Sequence, residues 1–153
     1  MIKVPLKVTY GILTALDLAF RFDTSPVQAK VIARRQNIPI RFIEQILHSL
    51  KQGGIIESLR GPQGGYSLRR DPAQVSLADI VEAMNGPFFS GAPRNGGPNG
   101  RPDHQNIHSE ALLASIWDRV HQAEREVLNS ITLQGLVERY EQLEQERVPM
   151  YHI

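Results

Sequence analysis

The sequence contains no cysteine among its 153 residues. This absence excludes disulfide bonds, thiolate nucleophiles, and any metal or iron–sulfur site with cysteine ligands. Long apolar runs are also missing, since no stretch approaches the ~18 residues of a membrane-spanning helix. The segment Met1–Pro5 lacks the long apolar stretch of a signal peptide. We therefore expect a cytoplasmic chain with no membrane partner.

Motifs of the common enzyme classes are absent as well. The glycine-rich run 60–65 has no Gly-Lys-Ser/Thr to hold a nucleotide, and the sequence contains neither Gly-x-Ser-x-Gly nor His-Glu-x-x-His. His104 and His108 have the spacing of two metal ligands on a helix, but they straddle the end of a predicted loop, which favours solvated side chains over a metal site. The sequence thus predicts no catalysis, no metal and no other cofactor.

The net charge of +1 conceals an uneven distribution of charged residues. Residues 1–72 carry 11 Lys and Arg against 5 Asp and Glu, a balance of +6, whereas residues 73–153 carry 6 against 11, a balance of −5. A basic segment beside an acidic one is typical of a chain that binds nucleic acid through one face. A chance partition of solvated charges is the alternative.

Residues 25–52 have the pattern of two short helices joined by a tight turn. Ser25 and Pro26 are typical of an N-cap and a first helical position, and Asn37 tolerates the left-handed conformation that ends a helix. The second helix has an apolar stripe with polar side chains elsewhere; the stripe consists of Ile43, Ile46, Leu47 and Leu50. This pattern is typical of a helix-turn-helix whose second helix binds DNA.

A glycine-rich hairpin follows the second helix directly. Gly53 and Gly54 end that helix, and the β-prone runs 55–59 and 66–68 flank the turn 60–65. A helix-turn-helix followed by such a ribbon is a winged helix, whose bare tip can approach phosphates or a minor groove. Ser76 and Asp79 form the capping box of a further helix that ends near Asn85. We therefore predict a winged domain over residues 1–85.

Four segments of the chain together resemble the Rrf2 family of bacterial transcriptional regulators: IP-x-x-x-x-EQIL, the wing RGPxGGY, the Arg-Asp-Pro after it, and a later SIW…NSITLQGLV. They span most of residues 6–137. The resemblance implies a mainly α-helical winged helix-turn-helix with a small β-hairpin and long C-terminal dimerisation helices. It also implies a loop that carries the cluster-ligating cysteines of the iron–sulfur members. Here the corresponding Gly/Pro/Asn-rich segment 86–108, which we expect to be flexible, contains none.

Residues 109–147 have the pattern of two amphipathic helices, the second capped by Thr132. A long amphipathic helix beyond a domain's own core is usually completed by another chain, and the family resemblance implies a homodimer. Packing of both helices on their own domain alone is the alternative, and the tail 148–153 is expected to fray. The residues predicted at the dimer interface are Leu113, Ile116, Trp117, Val120, Val127, Leu128 and Ile131.

The candidate DNA contacts lie on the polar positions of the helix-turn-helix and the wing. Affinity should come from cations facing phosphates, and others of the candidate cations should simply be solvated. Sequence readout should come from the second helix, where arginine can pair with guanine, glutamine with adenine, and a carboxylate with cytosine N4. Glu44 has an alternative role in an i,i+4 pair with His48, and Phe42 has one in the core. The full set is Lys30, Arg34, Arg35, Arg41, Phe42, Glu44, Gln45, His48, Lys51, Arg60, Gln63, Gly64 and Gly65.

Taken together, the sequence predicts a sequence-specific DNA-binding transcriptional regulator. We expect a homodimer that represses transcription from a pseudo-palindromic operator without an iron–sulfur cluster. Its control would then come from a small molecule at the dimer helices, a protein partner, or expression level alone. A winged-helix module that docks a partner protein instead of double-stranded DNA is the rival hypothesis, and the basic surface with residues suited to base readout favours DNA.

Overall fold

The computed structural model describes residues 3–85 and 107–147. Within them the chain is mainly helical with one β-hairpin, which confirms the predicted fold class. Its elements, in chain order, are helices α1 (Leu6–Ala19), α2 (Ala29–Gln36) and α3 (Ile40–Gln52), strands β1 (Ile56–Leu59) and β2 (Gly65–Leu68), a short 3-10 turn (Pro72–Gln74), and helices α4 (Leu77–Asn85), α5 (Ile107–Ser130) and α6 (Leu133–Arg147).

The turn between α2 and α3 follows the sequence prediction closely. Asn37 has φ 53° and ψ 43°, the left-handed conformation expected after the first helix. Ile38 in the same turn is buried and plugs the space between the two helices. On α3 the predicted stripe of Ile43, Ile46, Leu47 and Leu50 is buried throughout, so this helix can face the core on one side only.

The predicted N-cap of α2 is wrong. The helix begins at Ala29 rather than after Ser25, and the residue preceding it, Gln28, has an extended backbone and no side-chain cap. The cause is a β-bridge: the Val27 N–H donates to the Tyr66 carbonyl at 2.9 Å, and the Tyr66 N–H donates to the Val27 carbonyl at 2.8 Å. Because this pairing holds Val27 extended, the helix cannot start before it.

The wing is an antiparallel hairpin with Ile56 opposite Leu68 and Leu59 opposite Gly65. Its base is attached to the helix-turn-helix through the Val27–Tyr66 bridge. Gly65 is required there because a Cβ at this position would lie 2.5 Å from the Val27 carbonyl oxygen. The wing is therefore held at a defined position relative to α2.

The capping box predicted at the start of α4 is confirmed. The Ser76 N–H donates to the Asp79 carboxylate at 3.0 Å, and the Asp79 N–H donates to the Ser76 hydroxyl at 3.1 Å. These reciprocal bonds satisfy two of the backbone donors that a helix start leaves without partners. Ile80, Val81 and Met84 then bury one face of α4 in the core.

The C-terminal helices differ from each other in how they pack. The fully buried Leu133 and the buried Val137 place α6 in the same core as α1, α3 and α4. A second β-bridge anchors its start: the Leu77 N–H donates to the Ile131 carbonyl, and the Leu133 N–H donates to the Val75 carbonyl, both at 2.9 Å. The core thus crosses the border predicted between the winged domain and the dimerisation helices.

Helix α5 has, by contrast, no buried residue among those the structure describes. It begins at Ile107, so two residues of the segment predicted as loop are helical, while the rest of 86–108 lies outside the described residues together with His104 and the tail 148–153. The predicted Thr132 cap of α6 is confirmed, since its hydroxyl accepts from the Gly135 N–H at 3.1 Å. None of the described helices combines the length and the apolarity needed to cross a bilayer.

Candidate nucleic-acid interface

The outward face of α3 is a continuous polar stripe. Arg41, Glu44, Gln45 and His48 are all exposed and follow one another at helical i, i+3, i+4 and i+7 spacing. They lie opposite the buried apolar stripe, so the packing of α3 on the core determines that this face points outward. A helix that is exposed along such a face can enter the ~12 Å wide major groove of B-DNA.

An aromatic pair lies beneath the start of this stripe. The Arg41 guanidinium carbon lies 4.8 Å from the centroid of the Phe42 ring. That ring in turn lies 6.2 Å from the Tyr10 ring of α1, centroid to centroid. Both rings are half-buried and pack against the core. Of the two roles predicted for Phe42, the structure therefore supports packing.

Glu44 and His48, for which an i,i+4 pair was the alternative to base readout, do not form that pair. Both side chains are exposed. Within residues 3–85, the ion pairs and hydrogen bonds of the structure do not join them. The carboxylate of Glu44 consequently remains available to accept a hydrogen bond from a base.

The cations of α2 fall into two groups. Lys30 and Arg34 are exposed. Arg35 instead bonds to Asp17 of α1: its Nε lies 3.0 Å from Oδ1 and its Nη2 lies 2.6 Å from Oδ2. Asp17 is 4% exposed and also accepts from the Gln36 side-chain amide at 2.9 Å.

The sequence pattern did not reveal this ion pair, and Arg35 was predicted to face either phosphate or solvent. The structure gives Arg35 a structural role, since it neutralises a buried carboxylate and joins α1 to α2. A signal was available in the sequence, because Asp17 lies between Leu16 and Leu18 in an otherwise apolar stretch of helix. A carboxylate in such a place is rarely buried without a partner.

The last predicted cation of α3, Lys51, connects the helix to the wing. Its ammonium donates to the Ser58 hydroxyl on β1 at 2.8 Å. Both groups are exposed, so the bond contributes little to stability, although it directs the lysine toward the wing.

At the tip of the wing, Arg60 and Gln63 are exposed, whereas Gly64 is buried. The Gly64 N–H donates to the Gly61 carbonyl at 2.9 Å, and a Cβ on Gly64 would collide with the carbonyl oxygen of Leu59. The turn itself thus explains why position 64 is glycine. Of the four predicted contacts at the tip, Arg60 and Gln63 are those whose side chains are exposed to a duplex.

Two exposed apolar residues at this surface were not predicted. Ile40, in the first turn of α3, is 62% exposed, and Leu59 at the end of β1 is 61% exposed. Ile40 lies three residues before Ile43, so helical periodicity places it on the buried stripe. Ile40 is, however, the first residue of the helix and lies beyond the edge of the core, so its side chain is exposed. An apolar side chain there suits contact with a thymine methyl group.

Six of the seven residues predicted at a dimer interface form an apolar row along α5, and Ile131 follows the end of that helix. Leu113, Ile116, Trp117 and Val127 are 46–59% exposed. Val120, Leu128 and Ile131 are half-buried. Leu112, which was not among the predicted interface residues, is 63% exposed. Apolar side chains repeated along one helix in this way are typical of a surface that another chain covers.

Residues 3–85 and 107–147 contain no group of three or more His, Asp or Glu side chains arranged to hold a metal ion. Together with the absence of cysteine from the whole sequence, this leaves the described surface without a donor set for an iron–sulfur cluster. The exposed face of α3 and the wing tip present hydrogen-bonding groups and the cations Arg41 and Arg60.

Comparisons with known proteins agree with this geometry. A family model named Rrf2, described as an iron-dependent transcriptional regulator, matches residues 5–139. A Synechocystis protein bearing the name of an HTH-type transcriptional regulator is 36% identical over 137 residues, 88% of this chain and 86% of its own. The regulator CymR of Bacillus subtilis is 30% identical over 149 residues, 97% of this chain and 99% of its own.

Solved structures give the same result. The structure of IscR from T. potens superimposes with a TM-score of 0.72 at 31% identity, covering 93% of this chain and 90% of that one. The structure of CymR, titled the global cysteine regulator of B. subtilis, gives a TM-score of 0.68 at 29% identity, covering 91% and 98%.

Proposed function

This chain belongs to the Rrf2 family of transcriptional regulators, and from that membership we propose that it binds a pseudo-palindromic operator as a homodimer and represses transcription. It is a DNA-binding regulator of the helix-turn-helix type. The homodimer, the symmetry of the operator and repression are the parts that we propose.

The observation that carries the proposal is the exposed stripe of α3 beside the wing. Arg41, Glu44, Gln45 and His48 line one face of a helix whose other face is buried, and Arg60 lies at the tip of the adjacent ribbon. The stripe supplies donors and acceptors for base edges, and the wing supplies a cation for the phosphate backbone. A surface with acceptors among its cations suits the readout of bases better than the binding of phosphates alone.

The homodimer is supported by the apolar row on α5. Burying a large apolar side chain fully contributes roughly 1.5–3 kcal/mol, and Ile116 and Trp117 alone leave about half of their surface exposed in one chain. A second copy covering the same row would give a twofold axis. The operator would then have two half-sites about 34–36 Å apart, or a multiple of that distance.

Control without a thiolate-ligated cluster is the third part of the proposal. The matched family model is described as iron-dependent, but this chain has no cysteine to ligate an iron–sulfur cluster. The residues present do not fit that cofactor. We therefore assign regulation to a small molecule or a protein effector, acting in the cytoplasm.

The decisive experiment selects bound sequences from a random pool of duplex DNA with the full-length protein. We expect one inverted repeat, and an affinity that falls steeply between 50 and 200 mM salt because phosphate contacts release counterions. Glu44→Ala should relax the preference at one base pair by roughly 1–3 kcal/mol. Glu82→Ala, which removes an exposed carboxylate from α4, is the matched control and should leave base preference unchanged.

Recovery of unenriched sequences would refute operator binding. An inverted repeat bound by a protein that remains a single chain would refute the homodimer and leave DNA binding intact. Sedimentation of the free protein at micromolar concentration distinguishes these two outcomes.

A further inference from the structure

We propose that Phe42 is a positioning residue for base readout, whose ring holds the Arg41 guanidinium ready to pair with a guanine of the operator. The inference rests on the proposed function, because it assigns one base of the operator to one side chain. It goes beyond that function by separating the residue that touches the base from the residue that orients it.

The geometry of the pair supports this division. The Arg41 guanidinium carbon lies 4.8 Å from the centroid of the Phe42 ring, well within the ~6 Å range of a cation–π interaction. Arg41 is exposed in the first turn of α3, whereas Phe42 is half-buried. The arginine side chain therefore lies against its neighbour instead of extending freely into solvent.

The ring is held in turn by the fold. Phe42 packs against the core, and its centroid lies 6.2 Å from that of Tyr10 with 34° between the ring planes. Tyr10 is itself half-buried in α1 and packs against the same core. Contacts on two sides limit the rotation of the phenyl ring, so the guanidinium rests on a surface that the packing of α1 against α3 defines.

The donors of Arg41 remain available in this arrangement. No hydrogen bond or ion pair within residues 3–85 uses them. A cation–π contact occupies a face of the guanidinium and leaves its rim of N–H groups free. Guanine O6 and N7 accept two such donors side by side in one plane, so a guanidinium held at one face is suited to that bidentate contact.

Preorganisation explains why the ring should affect specificity and not affinity alone. A free arginine loses rotamer freedom when it is immobilised against a base, and a side chain already held in place loses less. The gain applies only when two aligned acceptors are present, because a single phosphate oxygen can be reached from many rotamers. Loss of the ring should therefore weaken binding to the correct base more than binding to other sequences.

The test measures affinity for the selected operator and for variants in which each guanine in turn is replaced by 7-deazaguanine, which lacks the N7 acceptor. Wild type should lose affinity at one guanine by roughly five- to 150-fold, and Arg41→Ala should abolish that loss. Phe42→Leu should reduce the discrimination by about two- to fivefold, the size of one exposed cation–π contact, and Phe42→Tyr should restore it.

Phe22→Leu is the matched control, since Phe22 is also half-buried against the core and carries the same loss of volume without an arginine above it. Thermal unfolding of each variant shows that the fold is retained. Phe42→Leu with wild-type discrimination, or with an equal loss of affinity for all sequences, would overturn the inference. Failure of the wild-type protein to select any operator would instead overturn the proposed function.

Discussion

Removing Arg35 should destabilise the protein more than removing the charge of its partner, Asp17. The two residues form a bidentate ion pair, but their surroundings differ: the Asp17 side chain is 5% exposed and that of Arg35 is 29% exposed. After Asp17→Asn, the guanidinium can turn toward water. After Arg35→Met, the carboxylate stays buried with the Gln36 amide as its remaining donor.

The expected magnitudes follow from this asymmetry. Leaving one partner of a buried ion pair without the other costs about 3–5 kcal/mol. Because the Gln36 donor remains and the arginine is part-exposed, we expect about 2–3 kcal/mol for Arg35→Met. Asp17→Asn keeps the shape of the side chain and one acceptor oxygen, and the guanidinium can turn away from the new N–H donors, so its cost should be about 1–2 kcal/mol.

Urea unfolding followed by circular dichroism measures both variants, and thermal unfolding provides a second reading. For a chain of this length each kcal/mol shifts the melting temperature by roughly 2–4 °C, so Arg35→Met should melt about 4–12 °C below wild type. An unchanged midpoint for Arg35→Met, or a larger loss for Asp17→Asn, would refute the reasoning from burial.

The same variant distinguishes a structural arginine from a DNA contact. At a temperature where all variants are folded, the slope of log affinity against log salt should fall by about 0.9 for each lost phosphate contact. Arg34→Met removes an exposed cation from the neighbouring position and should lower the slope by that amount. If Arg35→Met lowers the slope equally, Arg35 contacts phosphate despite its bond to Asp17.

Three further outcomes are expected. Arg60→Ala should weaken binding to all duplexes alike and lower the slope of log affinity against log salt by about 0.9. Filter binding at several salt concentrations measures this slope, and an altered base preference would contradict the phosphate role. Ile116→Asp should keep the protein monomeric at micromolar concentration in sedimentation, and an intact dimer would exclude the α5 row as the interface. Gly65→Ala should destabilise the fold by about 1–3 kcal/mol because its Cβ meets the Val27 carbonyl. Its control is Gly135→Ala on α6, where the added Cβ makes only an ordinary 3.4 Å contact with the Thr132 hydroxyl and should stabilise the fold by about 0.5–1 kcal/mol. Equal effects of the two substitutions on urea unfolding would contradict this account.

Local chemistry made much of the fold predictable. The left-handed Asn37, the capping box of Ser76 and Asp79, and the Thr132 cap depend on residues within three positions of each other, so the sequence contains all the information that they need. The buried stripe of α3 is equally predictable, because its apolar residues follow the helical period along the whole helix. The polar face opposite it, which includes most of the readout candidates, then follows.

The features that were not predicted depend on contacts between residues that are far apart in the sequence. The start of α2 is determined by Tyr66, whose backbone pairs with Val27 across 39 positions of the chain. The role of Arg35 depends on Asp17, which lies on another helix. Ile40 is exposed because it lies beyond the edge of the core, and helical periodicity does not predict where that edge lies. In each case a local preference was plausible, and a tertiary contact overrode it.

The second β-bridge, between Ser76 and Thr132, joins the winged domain to the start of α6. The fold of the DNA-binding part therefore depends on this C-terminal helix. A fragment ending at Asn85 would lack Leu133 and Val137, which are buried in its core. Loss of the Leu133 side chain alone lowers the free energy of unfolding by about 2–5 kcal/mol. Since natural domains are stable by only about 5–15 kcal/mol, such a fragment would be close to melting. The winged domain should therefore not fold when it is separated from the C-terminal helices. Partial unfolding of those helices would also unfold the winged domain, and the protein would dissociate from its DNA.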